Sequence, residues 1–286
     1  MPYARDDELE IFYDATGPED GQPLVLIAGT GAQLVFWHPE FVALLVAEGF
    51  RVIRIDNRDV GLSTKFGGPR DLDGGYQISD FGDDIVRVLD AEGIARAHLV
   101  GHSMGGMVAQ VVAIDHPERV ASLGLLASIP GQDPRYILHG PLPEKPPGRL
   151  PRWAAVRLAE RVARPREPQR YDWERAWVRE AAGIAYDRCW APAGLWRQFA
   201  ALKRAPDRLE ALRGVRVPTL VLHGDDDRNL HWCAAVDIAD AIPDAELVIV
   251  PGLTHALPRE LWPTFVSAIT RTARRATRPD TAVRDR

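Results

Sequence analysis

Gly101-His102-Ser103-Met104-Gly105-Gly106 decides how this chain is read. The apolar run His98–Gly101 precedes the serine, and a helical stretch from Met104 to His116 follows it. The serine therefore sits where a strand turns into a helix, in a G-x-S-x-G sequence. So sharp a turn strains the serine's dihedrals and leaves no room for side chains at 101 and 105, which accounts for glycine at both. The hydroxyl is held clear of the sheet. Behind it lies a helix N-terminus, whose free N–H groups and positive dipole end favour negative charge. The competing reading is a strand–turn–helix corner with an incidental serine, and the placement of both elements weighs against it.

Outward from this corner, short apolar runs alternate with amphipathic stretches, the rhythm of a parallel sheet covered by helices. Strands are predicted at Leu9–Tyr13, Leu24–Ala28, Arg51–Ile55, His98–Gly101, Ser122–Leu126, Thr219–Leu222 and Glu246–Val250. Helices are predicted at about 39–48, 80–92, 104–116, 232–242 and 259–273, the second capped by Ser79 and ended by Gly93. The rhythm breaks after Ile129 in a proline-rich passage. The stretch 152–205 then turns helical and holds Trp153, Trp173, Trp177, Trp190 and Trp196. The expectation is an α/β core over 1–130 and 206–273, a helical cap inserted at 131–205, and a disordered tail at 274–286.

A serine hydroxyl is a weak nucleophile at neutral pH and needs a base. His255 fits: it ends Pro251-Gly252-Leu253-Thr254-His255, the loop after the run Glu246–Val250. The base needs an acid to fix its tautomer and stabilise imidazolium. Thr219–Leu222 leads into His223-Gly224-Asp225-Asp226-Asp227, so three carboxylates compete. Spacing selects Asp227, third after the glycine, with Asp225 and Asp226 left to loop capping or solvent. His223, the aspartates and His231 also admit a metal reading, but their spacing matches no standard site. Two backbone donors are needed for an oxyanion. Met104, next after the nucleophile, is one. Thr30, between Gly29 and Gly31 after the run Leu24–Ala28, is the other candidate. Gly29-Thr30-Gly31 does not open a dinucleotide fingerprint, since Leu34 stands at the third glycine position.

Composition is that of an ordinary globular protein. Hydrophobic residues make up 46% and charged residues 26% of 286, and the formal net charge of −5 implies no general affinity for nucleic acid or acidic membrane. Cys189 and Cys233 show no metal-ligand spacing and nothing asks for a disulfide. There is no apolar h-region at the N-terminus and no run long enough to span a bilayer. A cytoplasmic, soluble protein with no cofactor and no metal is expected, its partner a small apolar ester.

Ser103, Asp227 and His255 in that chain order, within Gly-His-Ser-Met-Gly-Gly, His-Gly-Asp-Asp-Asp and Gly-Leu-Thr-His, resemble the α/β-hydrolase fold family over nearly the whole chain outside the tail. Two further stretches, from Leu26 to Ala32 and from Val52 to Ser63, are similar to the aclacinomycin methylesterase group, bacterial enzymes that cleave a methyl ester from polycyclic aromatic polyketides. The resemblance implies a serine esterase, with Thr30 and Met104 as the oxyanion donors, tailoring a secondary metabolite. The same triad also serves lactonases, thioesterases, perhydrolases and carbon–carbon hydrolases, and the fold hosts non-hydrolytic ligand-binding and cyclase-like members. One departure stands out. The wider family commonly begins its oxyanion loop His-Gly, and here it is Ala28-Gly29, which removes a support of that loop. In Asp56-Asn57-Arg58-Asp59-Val60-Gly61, Arg58 and Asp59 are expected to pair and stiffen the rim.

Overall fold

The computed structural model describes residues 2–6, 8–165 and 169–276. Its centre is a sheet of eight strands: β1 (Tyr3–Asp6), β2 (Leu9–Thr16), β3 (Gln22–Ile27), β4 (Phe50–Ile55), β5 (Ala97–His102), β6 (Val120–Leu126), β7 (Thr219–Gly224) and β8 (Glu246–Val250). They lie in the order β1-β2-β4-β3-β5-β6-β7-β8. β1 pairs antiparallel with β2, β2 pairs antiparallel with β4, and all pairs from β4 to β8 are parallel. The expected α/β class with a mostly parallel sheet is therefore what is found. β1 escaped the sequence reading because Tyr3-Ala4-Arg5-Asp6 is a short, charged edge strand without an apolar run.

The helices are α1 (Pro39–Ala47), α2 (Ile78–Ala91), α3 (Met104–Asp115), α4 (Arg152–Ala163), α5 (Arg175–Arg188), α6 (Ala193–Arg204), α7 (Leu209–Leu212), α8 (Cys233–Ala241) and α9 (Trp262–Ala276). The period-2 alternation of strand side chains divides the interior in two. Val25, Ile27, Ile53, Leu99, Leu125 and Val221 pack with α2, α3 and α8. Leu24, Leu26, Val52, Val100, Leu126 and Leu222 pack on the other face with α1 and α9. Both faces are covered, which is why the middle strands read as unbroken apolar runs.

α2 starts two residues before its predicted limit. Ser79 lies inside the first turn, and the Gln77 N–H instead donates to Asp80 Oδ2 at 2.7 Å. Gly93, at φ 65°, ends the helix as expected. α9 runs on to Ala276, into the stretch read as a tail, and residues 277–286 lie outside the described ones. α4, α5 and α6 lie between β6 and β7. Among the described residues no helix is long and apolar enough to cross a membrane.

His98 on β5 shows what burial costs a titratable group here. Its ring meets Ser122 Oγ at 2.8 Å and Gln22 Oε1 at 3.2 Å, and burial, with Arg96 nearby, pushes it from 6.5 down to about 4. The folded chain keeps this ring neutral while the unfolded chain protonates it. Its stabilising effect is complete above the ordinary histidine value and is lost as pH falls toward 4, an effect on the order of 3 kcal/mol. Thermal unfolding of the wild type is therefore expected to shift down between pH 6.5 and 4, with a shallower slope in His98→Gln. Equal slopes would contradict this account of His98.

Candidate active site

Because β3, β5, β7 and β8 run parallel, the loops that follow them gather at one edge of the sheet, where open α/β sheets carry their sites. Ser103 is the residue between β5 and α3. It has φ 56° and ψ −119°, a strained conformation for a residue with a Cβ. Its N–H donates to Leu126 O at 2.9 Å, and Ser128 Oγ donates to its carbonyl at 2.9 Å, so both peptide groups are tied to β6 and the loop beyond it. A Cβ at Gly101 would lie 2.1 Å from Gly105 O, and one at Gly105 would lie 2.0 Å from Ile27 O. The turn therefore accepts only glycine at both positions.

Asp227 and His255 are brought together. His255 Nδ1 lies 2.7 Å from Asp227 Oδ2. The loop N–H groups of Asn229 and Leu230 donate to Oδ1 at 2.8 and 3.0 Å. A second histidine, His223, also meets Oδ2, with its Nε2 at 3.1 Å. Burial alone would raise this carboxyl. The hydrogen bonds from His223 and His255 outweigh that and hold Asp227 well below the usual carboxylate range. The three competing aspartates are thus separated by their contacts. Asp225 accepts the Gly252 N–H at 2.6 Å and so steadies the loop that carries His255, while Asp226 meets Arg228 at the surface. Among the described residues no group of three or more His, Cys, Asp or Glu is placed to hold a metal ion.

His102 joins the elbow to the loop of His255. Its Nε2–H donates to His255 O at 2.9 Å, and its ring stacks on Phe36 at 5.0 Å. Burial, with His255 adjacent, pushes it down to about 3, so it remains neutral. Among the described residues neither the Ser103 hydroxyl nor His255 Nε2 has a hydrogen-bond partner, so the Ser103–His255 bond is not formed in this state.

The Gly29–Gly31 loop lies against the elbow. A Cβ at Gly29 would stand 3.2 Å from Ser103 Cβ. The N–H groups of Thr30 and Met104 have no protein partner among the described residues, whereas Gly31 N–H donates to Gln198 Oε1 at 2.7 Å. Asn57 Nδ2 donates to Ala28 O at 3.1 Å, and Asp56 Oδ1 accepts Leu34 N–H at 2.8 Å. The wholly buried Asp56 is also paired with Arg188, at the end of α5. Burial still pushes its carboxyl up, against the opposing pull of Arg188. The expected Arg58–Asp59 pair does not form. Arg58 pairs with Asp84 on α2 at 2.8 Å, and Asp59 pairs with Arg197 on α6 at 2.7 Å. Adjacent residues on a tight loop point their side chains apart, and each finds its partner on a different helix.

Gln198 is not named by the sequence reading, which takes His223 only as part of a metal cluster and Asp56 and Asn57 only as members of their loop. Asp56 and Asn57 carried a usable signal, since they directly follow a strand. His223 did as well, opening the segment that supplies the acid. Gln198 carried none, being one polar residue on a helix.

The aromatic residues between β6 and β7 stand in different surroundings. Trp177 packs on His38 with ring centroids 4.0 Å apart, Trp196 Nε1 donates to Pro143 O at 2.8 Å, and Trp153 is 65% exposed. A cavity of about 540 Å³ lies between this region and the 65–69 loop, lined among others by Lys65, Arg149, Tyr186 and Trp190. Ser103, Asp227 and His255 do not line it.

The fold and this site define the class. A profile of the alpha/beta hydrolase fold family matches residues 22–258, and the chain belongs to that family, as a hydrolase of the alpha/beta fold. Among its relatives is a proposed carbamate hydrolase, RutD, of Variovorax paradoxus strain S110, 35% identical over 87% of this chain and 90% of its own length. Rhodomycin D methylesterase DauP of Streptomyces sp. strain C5 is 36% identical over 42% of this chain and 39% of its own. In structure, the enol-lactonase of Burkholderia xenovorans LB400 superposes with a TM-score of 0.72 at 25% identity, over 95% of this chain and 99% of that one. Esterase RhEst1 of Rhodococcus sp. ECU1013 gives 0.73 at 25% identity, over 95% and 97%.

Proposed function

We propose that this chain hydrolyses a carboxylic ester through an acyl-enzyme on Ser103. The observation that carries the proposal is the 2.7 Å contact of His255 with a buried, ionised Asp227, on a loop tied through His102 to a strained serine turn. His255 Nε2 takes the Ser103 proton as Oγ attacks the ester carbonyl carbon. Thr30 and Met104 N–H groups hold the oxyanion. The intermediate collapses, the proton passes from His255 to the leaving alkoxide, and the alcohol departs. A water then gives its proton to His255 and attacks the acyl carbon. Collapse returns the proton to Ser103 and frees the acid. The open Ser103–His255 contact is compatible with this scheme, because such bonds are often long without substrate and tighten when it binds.

The leaving group is proposed to be small, as methanol is, on an apolar acyl part. Support comes from the two stretches similar to methylesterases and from the partial match to DauP. A second reading, hydrolysis of a carbamate, is favoured by the 35% identity with the RutD relative. A panel of p-nitrophenyl, methyl, lactone and carbamate substrates separates the two. The proposal expects turnover of p-nitrophenyl and methyl esters with one acid and one alcohol formed per event. Turnover of carbamates alone would move the reading to the second, and no turnover of any acyl compound would remove both.

A further inference from the structure

We infer that Gln198, on cap helix α6, is a positioning residue for the oxyanion loop, which makes the cap a working part of the acyl-transfer site. This rests on the proposed roles of Ser103 and Thr30.

Gln198 is a polar side chain with no exposed surface. An amide buried without partners is costly, so both its ends must be matched. Its Oε1 accepts Gly31 N–H at 2.7 Å, and its Nε2 donates to Arg58 O at 2.7 Å. One partner can only donate and the other can only accept, so the amide has a single orientation. The side chain thereby ties the loop after β3 to the loop after β4.

The loop is tied at its ends through Ala28, Gln33 and Leu34, and its central turn is held differently. Ala32 N–H returns to Gly29 O at 3.2 Å, closing a turn with Thr30 and Gly31 at its centre, and Gly31 has φ 73°. That pattern is a type II turn, whose central peptide is the unit able to rotate. Gly31 N–H belongs to that peptide. Among the described residues Gln198 makes the only side-chain hydrogen bond to Thr30 or Gly31. Leu195, one turn earlier on α6, packs on the same spot: a Cβ at Gly31 would meet its Cδ1 at 2.7 Å. Ala28 stands where the wider family commonly has a supporting histidine, and here the cap supplies the support from another part of the chain. With Gly31 N–H engaged, Thr30 N–H is the central donor of this turn left without a partner among the described residues, next to Gly29, whose Cβ would stand 3.2 Å from Ser103 Cβ.

The test is Gln198→Met, which fills the space and removes both hydrogen bonds, with Gln198→Asn, too short to bridge both loops, as the second variant should the first not fold. The full chain is assayed on p-nitrophenyl butyrate, with Ser103→Ala alongside. A misplaced oxyanion donor is expected to lower kcat about 10–100-fold with KM little changed. Affinity for the trifluoromethyl ketone carrying the same acyl chain, which forms an oxyanion on serine, should fall in parallel, while affinity for butyrate stays. A folded variant with kcat within about twofold of wild type, or with ketone and butyrate affinities falling together, would overturn the inference. Wild-type turnover that survives in Ser103→Ala would instead overturn the reading beneath it.

Discussion

Ser103→Ala is expected to lower kcat/KM for any ester the protein turns over by about ten-thousand-fold or more, with no change in melting temperature. The loss is expected to be large because in the proposed mechanism the hydroxyl oxygen is the bond-forming atom. A residual rate above water, from the oxyanion donors and substrate binding alone, should remain, as in serine hydrolases stripped of their nucleophile. Stability should hold because alanine keeps the Cβ, and the contacts that fix the turn are made by the backbone of 103. These are its N–H to Leu126 O and its carbonyl from Ser128 Oγ. Steady-state kinetics on p-nitrophenyl butyrate and thermal unfolding check both halves.

Asp227→Asn is expected to cost on the order of ten-thousand-fold in kcat at neutral pH. The geometry gives the reason. Oδ1 takes N–H groups from Asn229 and Leu230, so the amide oxygen of an asparagine must occupy that side. Its NH2 is then forced onto the Oδ2 side, facing His255 Nδ1 and His223 Nε2. His255 must accept at Nδ1, which puts its proton on Nε2, where the base has to be free. The same swap sets an NH2 against the Nε2–H of His223, so a lower melting temperature should accompany the rate loss. Kinetics and unfolding of Asp227→Asn check this, and a variant retaining a tenth of wild-type kcat would contradict the assigned role.

Much of this was legible in the sequence because it rests on local physics. The glycines at 101 and 105 are demanded because a Cβ at either would stand about 2 Å from neighbouring backbone, and a demand of that kind is written into one short stretch. Strand runs such as Leu24–Ala28 and Thr219–Leu222 were readable because burial on both faces removes polar residues from them. The choice of Asp227 among three carboxylates rested on spacing, and its contact with His255 is a separate, geometric reason. What stayed hidden is long-range. Arg58 and Asp59 are neighbours in sequence, yet their partners, Asp84 and Arg197, lie 26 and 138 positions away. Gln198 lies 167 residues from the turn it holds, on a helix whose pattern signals only amphipathicity. For the aromatic residues crowded into 152–205, periodicity cannot tell a ring that faces substrate from one that packs on a neighbouring side chain, as Trp177 packs on His38.

Helices α5 and α6 are thereby bound to the loops after β3 and β4 through three side chains: Arg188 on Asp56, Arg197 on Asp59, and Gln198 on Gly31 and Arg58. Breaking a buried pair such as Arg197–Asp59 leaves an uncompensated charge. The attachment is therefore firm where the loop after β3 and the loop after β4 meet.

In the proposed mechanism the hydroxyl at 103 attacks and carries the acyl group. Treatment of the protein with a fluorophosphonate, followed by peptide mass spectrometry, tests it most directly. One adduct per chain is expected, on the peptide containing Ser103, with parallel loss of esterase activity and no adduct in Ser103→Ala. An adduct at another residue, or esterase activity persisting in fully labelled protein, would contradict it.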